Sequence, residues 1–555
     1  MIEPGAKNFF VRMIWLILFL GVLSVMFQFW NFSVRDLSQN EGLYAAIVRE
    51  LNPDKPMSIV HGVGIRNNYF LYPWLCSVFY RITDFQLPHI MRYINLFFMA
   101  ATALLIGLTA GFARDFKAGM IGCGFFAANL IVFMYSQYAS PLMMSLFLLF
   151  SAQNAWIYFG YIKGKWNLGW IISLFLISCG FLAGGIKIVI YFFLPLLFLH
   201  RPLKFSSRIN KRGFIIGLLL LLGALIFWAL PFVFYGRGME WAYMPIEYRG
   251  MGNFLLNIIS SPIQLLLCLL PWTLVIWMPF CVAIRPLDRI PIFSHYFRVI
   301  FITDFIFILL NPLSTMDDFI FTIPVLALLC ALTYDTAVRR YSVEMRHLVL
   351  SCAYILIMLA TGLLIYCFLP YESISRYVDL LPLTAGKERI FSAILAFFAL
   401  AVWIYHYRKQ GQIWLMLLFT AGAIGVFCQL TYIPYRNSDR SRSELGLKIR
   451  QVITDDGGNE NAVVYKNDIL DLYSESYYLH HKVKKINNLD DIDTKEKVIY
   501  LLTTDFPQYP ERTWKNLLEI TYRGQKLILY RGETAKRKEL INRRNLPPPA
   551  DGGQK

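Results

Sequence analysis

Thirteen long apolar stretches followed by about 120 polar residues dominate this chain, and that pattern has few stable solutions outside a lipid bilayer. A helix needs about 20 mostly apolar residues to cross the hydrocarbon. Candidates lie near 10–30, 89–112, 117–137, 141–161, 167–183, 186–200, 213–235, 262–284, 297–311, 318–337, 347–369, 390–407 and 412–433. Apolar side chains make up 57% of the chain and charged ones 16%, which sets it with polytopic membrane proteins rather than soluble domains. Lys and Arg crowd every second connection: Arg114 and Lys117, Lys163 and Lys165, Arg201 with Lys204, Arg208, Lys211 and Arg212, Arg285 and Arg289, Arg339, Arg340 and Arg346, Arg408 and Lys409. The intervening connections 138–140 and 312–316 carry none. Because positive residues are retained on the cytoplasmic side, this alternation predicts a cytoplasmic N-terminus in an inner (plasma) membrane. After an odd number of crossings, the polar tail beyond Tyr435 is then extracytoplasmic.

The formal charge of +17 is concentrated in those connections, where topology and anionic headgroups account for it, so nucleic acid is not an expected partner. The first stretch follows Lys7 and is too long for a cleaved signal segment, which makes it a retained anchor. Nine cysteines fall in or beside apolar stretches with no CxxC or Cys/His spacing, so neither a disulfide framework nor a zinc site is indicated, and no cofactor is expected.

The chain divides into a membrane region over 1–435, an external α/β domain over 436–534 and a disordered tail over 535–555. The connection 31–88 is too long for a simple turn, and connections of that length usually carry function. Within it Leu43, Ile47 and Leu51 recur at helical spacing, predicting a short helix along the membrane surface. Tyr69 to Phe79 forms an aromatic second piece at headgroup level. In the tail domain, Ser441–Val452 and Tyr473–His480 read as helices, and Ala462–Tyr465, Lys497–Leu502 and Lys526–Tyr530 as strands. No internal repeat appears, which argues against a transporter built of paired halves.

Four segments in order resemble motifs of the GT-C superfamily, in particular the family of the lipid A aminoarabinose transferase and the bacterial protein O-mannosyltransferase-like proteins. The run from Asn40-Glu41-Gly42-Leu43-Tyr44 to Arg49-Glu50-Leu51 is similar to Asp-Glu-x-x-Tyr-Ala-x-x-x-Arg-Glu-Met. Phe70-Leu71-Tyr72-Pro73-Trp74, followed by Arg92, resembles a Glu-Lys-Pro-Pro segment. Tyr138-Ala139-Ser140-Pro141 stands where the family has Thr-Pro-Asp or Asp-Thr-Pro, and Leu182–Pro195 where it has Thr-Lys-Gly and a proline-containing span. Here Asn40, Tyr72 and Ser140 replace the family's Asp, Lys and acid, and Lys187 stands two residues beyond Gly185. The resemblance implies thirteen spans, an external α/β domain, and transfer of a sugar from a polyprenyl-phosphate carrier to a lipid, glycan or protein acceptor on the outer face. A non-catalytic homologue that translocates lipid-linked substrate, or acts as a scaffold, is the alternative.

Such transfer needs a carboxylate to take the acceptor's proton and cationic or hydrogen-bonding groups to hold the leaving phosphate. Glu41 is the first candidate base and Asp36 the second. Ser38-Gln39-Asn40-Glu41 also reads as a capping box, in which Glu41 only closes a helix start. For donor contacts the candidates are Arg66, Arg92, Lys187 and Arg249, with Asn40, Tyr44, Tyr72 and Ser140 from the motifs. Asp317 and Asp318 form a paired carboxylate that is either a weak metal candidate or a solvated helix cap after Ser314-Thr315. Asp304 lies inside a predicted span, where a carboxylate must face protein or water.

Overall fold

The computed structural model describes residues 36–51, 70–234, 251–269, 272–311, 314–368, 440–458, 462–467, 472–486, 498–504 and 512–534, with pieces between 11 and 18 and between 413 and 422. The chain forms two compact units. Residues 1–35 and 68–438 make the membrane unit, and residues 36–67 join 439–555 in the second. Helix α1 (Gln39–Glu50), expected to lie along the membrane surface beside the first span, is therefore built into the C-terminal unit.

The membrane unit contains α2 (Leu71–Ile82), α3 (Leu87–Ala113), α4 (Phe116–Ala127), α5 (Leu130–Ser136), α6 (Leu142–Ala155) continued by a π-turn over Trp156–Ile162, α7 (Trp166–Gly184), α8 (Ile186–Leu197), α9 (Arg212–Phe234), α10 (Met251–Cys268), α11 (Pro291–Leu310), α12 (Ile323–Arg340) and α13 (Ser342–Phe368). Among the described residues six helices are long and apolar enough to cross a bilayer, or seven if the bent pair α4 and α5 counts as one. Of the seven other expected spans, 186–200 forms only the 12-residue α8 and 347–369 lies within α13, and the remaining five differ for visible reasons. The stretch 390–407 lies outside the described residues, and 10–30 and 412–433 lie mostly outside them. The expected span 117–137 is broken by 62° at Ala128 and Asn129, where the Asn129 side chain accepts the Ile131 N–H and starts a new helix. The expected span 262–284 divides into the end of α10 and short 3-10 turns at Trp272–Leu274 and, with Pro279, Met278–Phe280, where proline removes a donor from the helical ladder.

Lipid-type packing is visible in the side chains. Ile215, Leu219, Leu222 and Ile226 on α9 are exposed, an apolar face stable only against hydrocarbon. Between α3 and α4 the backbones touch: a Cβ on Gly119 would lie 2.6 Å from the Gly107 carbonyl oxygen, so small residues permit the approach. Trp156 stacks on Tyr296 at 5.4 Å, tying the end of α6 to α11.

The second unit carries α14 (Ser441–Asp455), α15 (Tyr473–Leu479) and a five-stranded sheet of β1 (Val463–Asn467), β2 (Lys482–Ile486), β3 (Val498–Thr503), β4 (Arg512–Tyr522) and β5 (Gln525–Thr534), in the order β2-β1-β3-β5-β4. β1 pairs in parallel with β2 and β3, while β5 is antiparallel to β3 and β4. Arg523 and Gly524 turn the last hairpin with φ of 52° and 78°, the left-handed pair that a two-residue hairpin requires. Leu445, Ile449 and Ile453 from α14 close over Val464, Leu502 and Leu529 on one face of the sheet.

Candidate functional site

Several of the motif segments meet at one end of the membrane bundle. Gly185, with φ of 77°, ends α7 and starts α8, placing Lys187 in the first turn of the new helix. Its ammonium lies 3.1 Å from both oxygens of Asp318. The Asp318 side chain is 5% exposed and its Oδ2 also accepts the Thr315 N–H, completing a capping box at the 3-10 turn Met316–Thr322. The aspartate pair is thus not a solvated surface feature: one member is ion-paired, and its neighbour Asp317 accepts from the Tyr135 hydroxyl. Tyr135 belongs to α5 and its ring lies 5.9 Å from that of Tyr138. The Tyr138 carbonyl accepts from the Asn95 side chain, one turn along α3 from Arg92. Arg92 is 2% exposed, and the Tyr72 hydroxyl donates to the Met91 carbonyl beside it at 2.9 Å. At the start of α6, Ser145 caps back onto Pro141, and a Cβ on Gly184 would sit 2.5 Å from the Ser145 hydroxyl, so the Ser140-Pro141 turn and the start of α8 are neighbours.

Lys187, Asp318, Asp317, Tyr135, Tyr138 and Asn95 therefore form one run of contacts, and Tyr72, Arg92 and Ser140 stand beside it on the same elements. Sequence reading did not single out Asn95 or Tyr135, and named Tyr138 only as the first residue of its motif segment. Asn95, fully buried in α3, was findable, because an amide within a span must have a partner. Deeper in the bundle, Asp304 of α11 is 1% exposed. Between α8 and α11 an apolar groove of about 500 Å³ is lined by Leu194, Phe198, Ile302, Ile306 and Leu310 among others.

The first motif lies in the other unit. The capping box read from Ser38 to Glu41 is formed: the Ser38 N–H donates to Glu41 Oε2 at 2.7 Å and the Glu41 N–H to Ser38 Oγ at 3.4 Å. Glu41 is 1% exposed, Asn40 is exposed and Tyr44 half-buried. Asp36, the second candidate base, accepts the Ser443 N–H at 2.9 Å and so supplies the start of α14 with the cap that Arg440 lacks. Arg66 and Arg249 lie outside the described residues. Among the described residues no group of three or more His, Cys, Asp or Glu side chains is arranged to hold a metal ion.

No protein-family model matches the chain, and no curated protein sequence matches it. Its backbone is similar to the crystal structure of ArnT from Cupriavidus metallidurans in the apo state, with a TM-score of 0.63 at 13% identity over 95% of this chain and 98% of that one. The same enzyme bound to undecaprenyl phosphate gives 0.60 at 12% identity over the same shares. This chain has the GT-C fold. A weaker likeness, to the oligosaccharyltransferase of Archaeoglobus fulgidus in the apo form, has a TM-score of 0.45 at 12% identity over 88% of this chain and 65% of that one. GT-C architecture and the apolar helices make it a multi-pass membrane protein.

Proposed function

We propose that this protein is a membrane glycosyltransferase that moves a sugar from a polyprenyl-phosphate carrier to an acceptor at the extracytoplasmic face. The observation that carries the reading is the joining of motif segments far apart in sequence by one run of contacts from Lys187 to Asn95, with Arg92 beside it, in a chain with the GT-C fold. Lys187 and Arg92 are the candidate contacts for the carrier phosphate, and Tyr72 and Ser140 flank them. The groove between the C-terminal end of α8 and α11 suits an isoprenoid chain because its wall is almost wholly apolar. Undecaprenyl phosphate, the ligand of the ArnT structure, is the carrier to test first.

Glu41 is the proposed base that takes the acceptor's proton, with Asn40 and Tyr44 as neighbouring substrate contacts. Glu41→Gln separates the two roles of this residue. Glutamine at the third helical position still closes a capping box, but it has no basicity. Purified protein is incubated with a panel of undecaprenyl-phosphate-linked sugars, and release of free undecaprenyl phosphate is followed. The wild type releases the carrier from at least one donor, and the variant loses release while remaining folded. Release by Glu41→Gln at the wild-type rate returns Glu41 to a purely structural cap.

A further inference from the structure

The external α/β unit has no role in the reading above, yet its contacts concentrate on three consecutive residues just before Glu41. The Leu37 N–H donates to the Tyr478 hydroxyl at 3.0 Å, and the Leu37 carbonyl accepts from Arg442 at 2.9 Å. The Asp36 carboxylate accepts from the Ser443 N–H at 2.9 Å. The Ser38 carbonyl accepts from the Ser474 hydroxyl at 2.7 Å. At the far end of α1, Arg49 donates to the Tyr477 carbonyl at 2.9 Å, and its guanidinium lies 5.6 Å from the Tyr477 ring centroid. Between these points α1 lies directly on α15: a Cβ on Gly42 would fall 2.4 Å from the Ser474 Cα, so no side chain fits there.

Ser474 is the centre of this arrangement. It is fully buried, and it grips the carbonyl of the same residue whose N–H and hydroxyl Glu41 uses for its capping box. We propose that the external unit is a clamp for α1, and that Ser474, supported by Arg442 and Tyr478, is a positioning residue that sets the Glu41 carboxylate through Ser38. This rests on the base role proposed for Glu41 and extends it to the external unit. Two features separate the clamp from ordinary packing. Both backbone polar groups of Leu37 are taken by side chains of the C-terminal segment, and the Ser38 carbonyl, which already accepts the Gly42 N–H at 2.8 Å, takes a second bond from the Ser474 hydroxyl.

The test uses the full-length protein with Ser474→Ala, which removes the grip, and Ser474→Thr, which keeps a hydroxyl. Using a donor that the wild type turns over, Ser474→Ala is expected to lower kcat at least about tenfold with KM for the donor within about twofold, since misplacing a reacting group costs rate rather than binding. Ser474→Thr restores most of kcat. In parallel, amide hydrogen exchange of residues 39–50 accelerates about tenfold in Ser474→Ala while β1 and β3 stay protected. Unchanged exchange over 39–50 overturns the clamp, as does a loss expressed only in KM, or failure of threonine to rescue. If no donor in the panel turns over with the wild type, the transfer reading fails, and the exchange measurement still decides the clamp.

Discussion

The two units are assembled in opposite ways. The membrane unit is nearly one continuous piece of chain, held by apolar surfaces and by glycines that let helices touch, as at Gly107 and Gly119. The second unit is made of two pieces, and the hydrogen bond from Arg442 to Leu37 closes a separation of 405 residues. Buried polar groups matter in both, but differently. In the membrane unit they pair helices and turns at several places, as at Lys187–Asp318 and Arg298–Asp288, whereas in the second unit they fasten one segment to another. Because residues 36–38 are bonded to residues 442–478, both must lie on the same side of the bilayer, and the number of crossings between them must be even.

The sharpest way to break the comparison is Gly42→Val. The branched side chain would meet the Ser474 backbone, not a flexible side-chain end, so α1 must separate from α15. Overpacking of this kind costs about 3 kcal/mol. All nine cysteines lie in segments of the membrane unit, so a thiol-reactive dye reports on that unit alone during heating. The expected outcome is an unchanged thiol-exposure transition together with lost exchange protection in α1 and α15. A shift of the thiol transition by several degrees would show that the two units do not unfold separately.

The converse substitution is Lys187→Met, a smaller effect confined to the membrane unit. It leaves the buried Asp318 carboxylate without its countercharge. The cost is about 2 kcal/mol, below that of a fully buried pair because the lysine side chain is 29% exposed. Asp318→Asn on the same background keeps an acceptor for the Thr315 N–H and is expected to recover most of the loss. Thiol-dye melting of the single and double variants measures this, and additive losses would remove the ion pair as the cause.

Legibility in the sequence follows the same division. Hydropathy located α3, α6, α7, α9, α11 and α12, since lipid demands long apolar runs. It could not register the break at Asn129, which depends on a single side-chain cap. In the second unit the three strands read from sequence correspond to β1, β3 and β5, the inner strands of the sheet. The two that were missed, β2 and β4, are its edges, where Lys482, Lys484 and Lys485 or Lys515 and Glu519 interrupt any apolar pattern. Of the site, Ser38 and Glu41 were readable as a capping box because their spacing is local. The partners of Asp36 and Leu37 were not, because nothing in residues 36–38 signals a bond to a segment some 400 positions later.

The smallest expected effect probes the second unit through pH. Burial, and then the hydrogen bond and charge of Glu475, push the Tyr522 phenol from its ordinary value near 10 up to about 12. A raised folded value means that the fold favours the protonated phenol. Its contribution is therefore complete below pH 10 and is lost as pH rises from 10 through about 12. Tyr522→Phe has no such proton to lose. Pulse proteolysis with an alkaline protease, with cleavages mapped to residues 440–534, should show the wild type losing its resistance faster than Tyr522→Phe as pH is raised above 10. Below that pH the difference between the two proteins should be constant, reflecting only the missing hydrogen bond to Glu475. Parallel pH curves across the alkaline range would mean that the phenol is not held by Glu475, and that the face of the sheet near the Arg523-Gly524 turn is looser than its contacts imply.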